Sequence, residues 1–227
     1  MKLQRKGTRH SHRGVIGVES AIVMIAFVIV AAALAFVVLN MGFSTTQKAK
    51  TSIISSLGEA SSTMQVAGKV IASGNVPAAA INATAIPIKI ASGGDVVNLG
   101  ATTMAVKYVS NSINYDDIYV GSLSGEYKSL SSAMAAAKVA FADIDNDSFA
   151  DGALSSNTRA FIYFAQEVNS NAILEQGETA VLAIAYNSAD RPVVLDKIKA
   201  EIIVPTGAAL TVERQIPPIT TSVLDLG

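Results

Sequence analysis

Two hydrophobic patterns follow one another in the first third of the chain. From Ala21 to Leu39 there are 19 consecutive residues without a polar side chain, so a helix formed there is apolar on every face. At about 1.5 Å per residue, that run matches a hydrocarbon layer about 30 Å thick. Beyond it, Ile53, Leu57, Ala60, Met64, Ala67 and Ile71 recur at alternating steps of four and three, while Lys48, Lys50, Glu59 and Lys69 occupy other faces. The pattern predicts one continuous helix, apolar and then amphipathic, from Val15 to Ala72 and ended by SGNVP at Ser73 to Pro77. Such a rod is about 87 Å long.

After Ile81 the runs shorten and become β-prone, with Gly, Asn, Asp and Ser between them. Seven segments read as strands: Ala85 to Ile90, Thr103 to Val109, Ile113 to Val120, Ala160 to Gln166, Thr179 to Asn187, Lys199 to Pro205 and Ala209 to Ile216. The Ala-rich stretch Ser129 to Asp143 is long enough for a helix yet flanked by strands, and is read as strand or irregular structure. SGGD at Ser92 to Asp95 reads as a turn. The expected fold is therefore α+β, a long N-terminal helix followed by an all-β sandwich or barrel-like domain. The boundaries are a basic segment at 1–14, the helix at 15–74 and the β-domain at 75–227.

Charge sharpens this division. Met1 to Gly14 carries Lys2, Arg5, Lys6, Arg9 and Arg13 and no acid, which leaves 12 of the 17 basic residues against all 18 acids, a net of -6, in the remainder. An acidic body argues against a nucleic-acid partner. Basic residues ahead of the apolar run hold that end in the cytoplasm and send the rest outward. A secretory signal is cut after its apolar run at small residues, but NMGFSTTQKAK follows Leu39 here. The alternative is a cut ahead of the run, at the Arg13–Gly14 seam, with the helix retained.

Candidate chemistry is sparse. The chain has no cysteine, and both histidines, His10 and His12, lie in the basic segment. The rest lacks the side chains that most often act as nucleophiles, neutral-pH bases and soft-metal ligands, so no catalytic residue is assigned and an enzyme is not expected. Asp143, Asp145, Asp147 and Asp151 fall at positions 1, 3, 5 and 9 of a loop, a spacing that converges oxygen ligands as a Ca²⁺ site requires. The run departs from the EF-hand at Ser148 and Leu154, in the places of the usual Gly and Glu, and reads equally as a solvated acidic turn. Asn82-Ala-Thr84 and Asn146-Asp-Ser148 have the form of N-glycosylation acceptors. Lys48 and Lys50 can meet anionic lipid head groups or acids of neighbouring copies, or simply be solvated.

Early in the helix, Glu19 faces the positive end of the helix dipole. Within an apolar bundle it needs a cation, which a freed α-amino group of a neighbouring subunit supplies; otherwise it merely caps its own helix. A helix that is apolar all round must be surrounded by lipid or by copies of itself.

A basic leader ending in Gly14, followed by VIGVESAIVMIAFVIVAAALAFVVLN, resembles the class III signal of type IV pilins and, more closely, that of archaeal flagellins (archaellins). The last third is similar to the archaellin C-terminal region in the turn at Gly177 and Glu178 and the Pro-Thr-Gly-Ala turn at Pro205 to Ala208. The resemblance implies that a prepilin-type peptidase cuts after Gly14 and makes Val15 the new N-terminus. It also aligns Gly17 with the third mature position and Glu19 with the fifth. The implied product is a homo-oligomeric helical filament on the cell surface, fed from membrane-inserted precursors by an assembly ATPase and rotated for swimming. No cofactor is required beyond the candidate Ca²⁺. An adhesive type IV pilin and an uncut membrane-anchored Ca²⁺-binding protein remain the alternatives.

Overall fold

The computed structural model describes residues 13–60, 64–144, 146, 154–205 and 207–227, and within the first helix the side chains of residues 17–57. The chain divides into two units, Met1–Ser55 and Ser56–Gly227. The first unit is built on helix α1, Arg13–Ala60.

Helix α1 ends at Ala60, short of the expected Ala72. Residues whose spacing continues its amphipathic face instead form β1 (Met64–Val66) and β2 (Ile71–Asn75). Met64 is buried opposite Ile90, and Val70 and Ala72 enter the core, whereas Ile71 is exposed. Sheet pairing and burial at these positions overrule a local period of four and three.

The second unit continues with β3 (Ala80–Ile90), β4 (Val97–Asn98), β5 (Ala105–Ser110), β6 (Asn114–Tyr115) and β7 (Tyr119–Glu126). Helix α2 (Leu130–Ala140) follows, then β8 (Arg159–Gln166), β9 (Ile173–Leu174) and β10 (Thr179–Ala185). The last strands are β11 (Lys197–Ile203), β12 (Leu210–Gln215) and β13 (Val223–Asp225). A large sheet runs β13-β2-β3-β10-β8-β7, with β1 also on β3, and a smaller one runs β12-β11-β5-β6. The end strands of each sheet do not meet, so the expected sandwich is present and the barrel is not.

Burial patterns explain the strand sequences. On β10, Ala180, Leu182 and Ile184 join the core shared with the smaller sheet, while Val181, Ala183 and Ala185 join a second core under α2. β10 is covered on both faces and therefore reads as the unbroken run TAVLAIA. By contrast β11 alternates, with Ile198, Ala200 and Ile202 inward and Lys197, Lys199 and Glu201 outward or half-buried, as befits a strand covered on one face.

The Ala-rich stretch read as strand or irregular structure is helix α2. Its topological reason is that β7 and β8 are parallel neighbours, which a hairpin cannot connect. Its local reason is capping: the Ser129 hydroxyl accepts from Ser132 N at 3.2 Å, and Lys138 sits in the last turn. Small residues Ala133 and Ala137, with Met134, let the helix lie close on Phe161 and Tyr163.

Between the sheets lies a tyrosine pair. Tyr108 and Tyr186 are fully buried with ring centroids 5.6 Å apart, and the Tyr186 hydroxyl is 3.0 Å from that of buried Thr84. Burial raises the Tyr108 and Tyr119 phenols well above their ordinary range and pushes Tyr163 and Tyr186 up to about 12 from 10.0. Folded phenols therefore keep their protons to higher pH than unfolded ones. Their contribution to stability is complete below pH 10 and disappears as pH rises through about 12. An alkaline titration of the full chain in detergent, followed by tyrosinate absorbance and circular dichroism together, should show ionisation of the buried phenols coinciding with loss of the sheet signal.

Candidate assembly interface

Helix α1 carries the most conspicuous functional surface. Its 48 residues span about 72 Å. Within Gly17–Leu57, the most apolar window has a mean hydropathy of 3.3 and no buried share, so the helix is long and apolar enough to cross a membrane. Met24, Phe27, Phe36 and Phe43 are 68–75% exposed. Apolar surface on this scale marks a site of contact with lipid or protein.

Three threonine hydroxyls of the helix are satisfied within it. Thr45, Thr46 and Thr51 hydroxyls donate to the carbonyls of Met41, Gly42 and Gln47 at 2.8, 2.8 and 2.9 Å. With these hydroxyls satisfied inside the helix, covering that stretch strands none of them. Sequence reading did not single out these threonines, although a Thr four residues after any helical residue can bond back in this way.

The expected assembly residues fall on this helix. Gly14 and Val15 are helical, and the helix runs through the seam between them from Arg13. Gly17 is exposed, and a Cβ there would meet nothing within 4 Å, so another backbone can approach closely. Glu19 is exposed in the second turn of the helix as it stands, and removal of residues 1–14 would make it the fifth residue.

The other candidate sites separate from this surface. Asp143 lies 3.5 Å from Arg159 Nε in an ion pair, and Asp145, Asp147 and Asp151 lie outside the described residues. Among the described residues, no group of three or more His, Cys, Asp or Glu side chains is placed to hold a metal. Asn82 lies on β3, where its side-chain oxygen accepts from Arg191 at 3.3 Å. Asn146 donates to the Leu154 carbonyl at 3.2 Å, while Ser148 of its triplet is outside the described residues.

The turn at Gly177 and Glu178 has a clear structural role. Gly177 has φ +98°, a conformation that favours glycine. It delivers the Glu178 carboxylate, 2% exposed, to three backbone donors: Val168 N at 2.9 Å, Asn169 N at 3.4 Å and Glu175 N at 2.9 Å. One carboxylate thus ties two loops together.

The archaeal-type flagellin family model matches residues 14–214, which takes in both the apolar helix and the sandwich. The chain belongs to the archaeal-type flagellin family. A probable flagellin 1 of Aeropyrum pernix is 37% identical over 216 residues, covering 90% of this chain and 92% of the relative. Another, from Archaeoglobus fulgidus, is 27% identical over 219 residues, 95% of this chain and 96% of the relative. The fold is similar to the crystal structure of archaeal flagellin FlaB1 from Methanocaldococcus jannaschii, with TM-score 0.56 and 14% identity over 73% of this chain and 97% of that one. It is similar also to the archaeal flagellum of Methanospirillum hungatei, with TM-score 0.55 and 20% identity over 88% and 93%. As a flagellin, the chain is a structural filament subunit.

Two substitutions test the surface and the turn. Val30→Lys, at the middle of the apolar run, introduces a penalty of about 3 kcal/mol, and the filament sheared from cells should fall by about a hundredfold while Val30→Leu leaves it unchanged. Glu178→Ala strands three backbone donors and should destabilise the second unit by about 2–4 kcal/mol in chemical denaturation of the full chain, with Glu178→Gln intermediate.

Proposed function

We propose that this flagellin is made as a membrane-inserted precursor, cut after Gly14, and built into an archaellum filament that drives swimming. The supporting observation is the apolar surface of Gly17–Leu57, exposed among the described residues. Lipid covers it before assembly, and parallel copies of the same helix cover it afterwards. The basic residues from Lys2 to Arg13 keep the N-terminal end cytoplasmic, where a prepilin-type peptidase reaches the seam. The family match begins at Gly14, which agrees with a leader that is not part of the mature subunit.

Packing contacts between such helices are heterologous, and heterologous contacts that do not close give an open polymer. The sandwiches then form the cell-exterior surface of the filament. An assembly ATPase platform supplies the work of moving each helix from lipid into the polymer. Glycan attachment at Asn82 or Asn146 belongs to the same proposal. The Thr84 hydroxyl is buried against Tyr186, so attachment at Asn82 precedes closure of β3.

The N-terminus of filaments sheared from cells, read by mass spectrometry, tests the reading. It is expected to begin at Val15. A mature surface protein that begins at Met1, or a chain that stays entirely with the membrane fraction, would overturn it.

A further inference from the structure

Among the described residues, two that are not glycine have positive φ, Ala79 at +49° and Leu195 at +71°. Both lie at one end of the sandwich, Ala79 between β2 and β3 and Leu195 between β10 and β11. The two segments are joined there by the Ala80–Val193 bridge and by Ile81 N, which donates to Pro192 O at 3.0 Å. Left-handed backbone is unfavourable for leucine and persists only where the surroundings fix it. Here they do. Leu195 N donates to Ile216 O and Ile216 N to Asp196 O, both at 2.9 Å, while the Asp196 carboxylate accepts from Val193 N at 2.9 Å and Asn111 Nδ2 at 3.0 Å.

Glycine would serve that turn better, so the leucine side chain has a use of its own. Val194 packs inward on the core, and Val193 and Leu195 on either side of it are 47% and 66% exposed, with Val76 of the adjoining turn at 47%. The result is an apolar patch held rigidly outward, which lowers the ordering cost of any contact it makes.

Size identifies the occupant. Three side chains fall well short of the about 800 Å² that each partner of a stable complex contributes. A free partner would not be held, but a second copy of this chain, kept nearby by α1 packing in the same filament, needs no larger contact. Subunits repeated in one direction cannot present the same patch to each other, so the contact is heterologous and the receiving surface lies elsewhere on the sandwich. A concave, largely apolar surface of the second unit is the groove between α2 and β7, lined by Leu123, Tyr127, Val139 and Phe141. It sits at the β7 edge, two strands beyond β10 in the large sheet. Val139, at 88%, is the most exposed large apolar side chain among the described residues.

We propose that in the filament the Val193–Leu195 turn of one subunit docks in the α2–β7 groove of a neighbouring copy. This inference rests on the filament reading above.

The absence of cysteine allows a direct test. Full-length chains carrying Leu195→Cys alone, with Val139→Cys, or with Val168→Cys are assembled in cells, and the sheared filaments are oxidised with diamide. Val168 is 74% exposed but lies outside the groove. Two thiols form one disulfide as diamide takes up two electrons and two protons. The expected result is a ladder of multimers for the Val139 pair and monomers for the other two. Intact filaments without that ladder, a Val168 ladder as strong, dimers from Leu195→Cys alone, or cross-links to a different protein would each overturn the proposal.

Leu195→Gly covers the case in which the cysteine variants do not assemble, because it removes the side chain and relieves the backbone together. Stability of the second unit in chemical denaturation of the full chain should hold or rise, while the filament that survives heating should fall about threefold or more. A loss of both would assign Leu195 to its own fold, and unchanged filaments would leave it no partner; either sinks the docking contact. Failure of the filament reading looks different, because the unmodified chain would then give no filaments beginning at Val15.

Discussion

An apolar helix with no cover of its own is the constraint on which the rest of this protein depends. A water-soluble domain places its apolar residues against one another, but from Gly17 to Leu57 the side chains are exposed among the described residues. The environment must supply the cover. Lipid and a bundle of identical helices are equivalent in this respect, because both present hydrocarbon and neither supplies water to free polar groups. A subunit that uses both in turn needs a helix whose backbone and hydroxyls are satisfied internally, and Thr45, Thr46 and Thr51 meet that requirement with bonds to carbonyls four residues back.

The second unit answers the opposite demand. It must be stable in water without help from the helix, and it closes its own core from two sheets, with α2 covering the far face of the larger one. Two loops are fixed by a single polar group, the Glu178 carboxylate, which accepts from Val168 N and Glu175 N. Division of labour between the units follows from solvent: one is designed for hydrocarbon and the other for water.

Much of this was legible in the residues, and the failures have physical causes. The helix, six of the seven strand runs and the flagellin resemblance were visible because 19 apolar residues in a row and β-prone runs separated by turn residues are local signals, whereas Ile113 to Val120, read as one strand, divides at Asp116–Ile118 into β6 and the start of β7. The helix end at Ala60 was not visible, since the burial of Met64 depends on Ile90 across the sheet and no local period records it. Helix α2 was missed for a similar reason: the requirement for a crossover comes from β7 and β8 being parallel, a relation between strands rather than a property of either. The Asp loop could be proposed only from spacing, and of its four carboxylates the structure places Asp143, beside Arg159. The role of Glu178 was half visible, as a turn with a glycine, because two of the three backbone donors that surround it come from Val168 and Asn169, nine and ten positions back.

Strand β13 carries a consequence for the order of folding. It pairs with β2, so the last strand of the domain lies beside one of its first, with Val223 opposite Ser73 and Asp225 opposite Ile71. Gly74 permits this close approach, since a Cβ there would stand 2.7 Å from the Thr221 carbonyl. A chain made from its N-terminus has β2 early but leaves one of its edges open until residue 225 is available to pair. Completion of the large sheet therefore waits on the C-terminal strand, and a chain lacking β13 keeps an open strand edge.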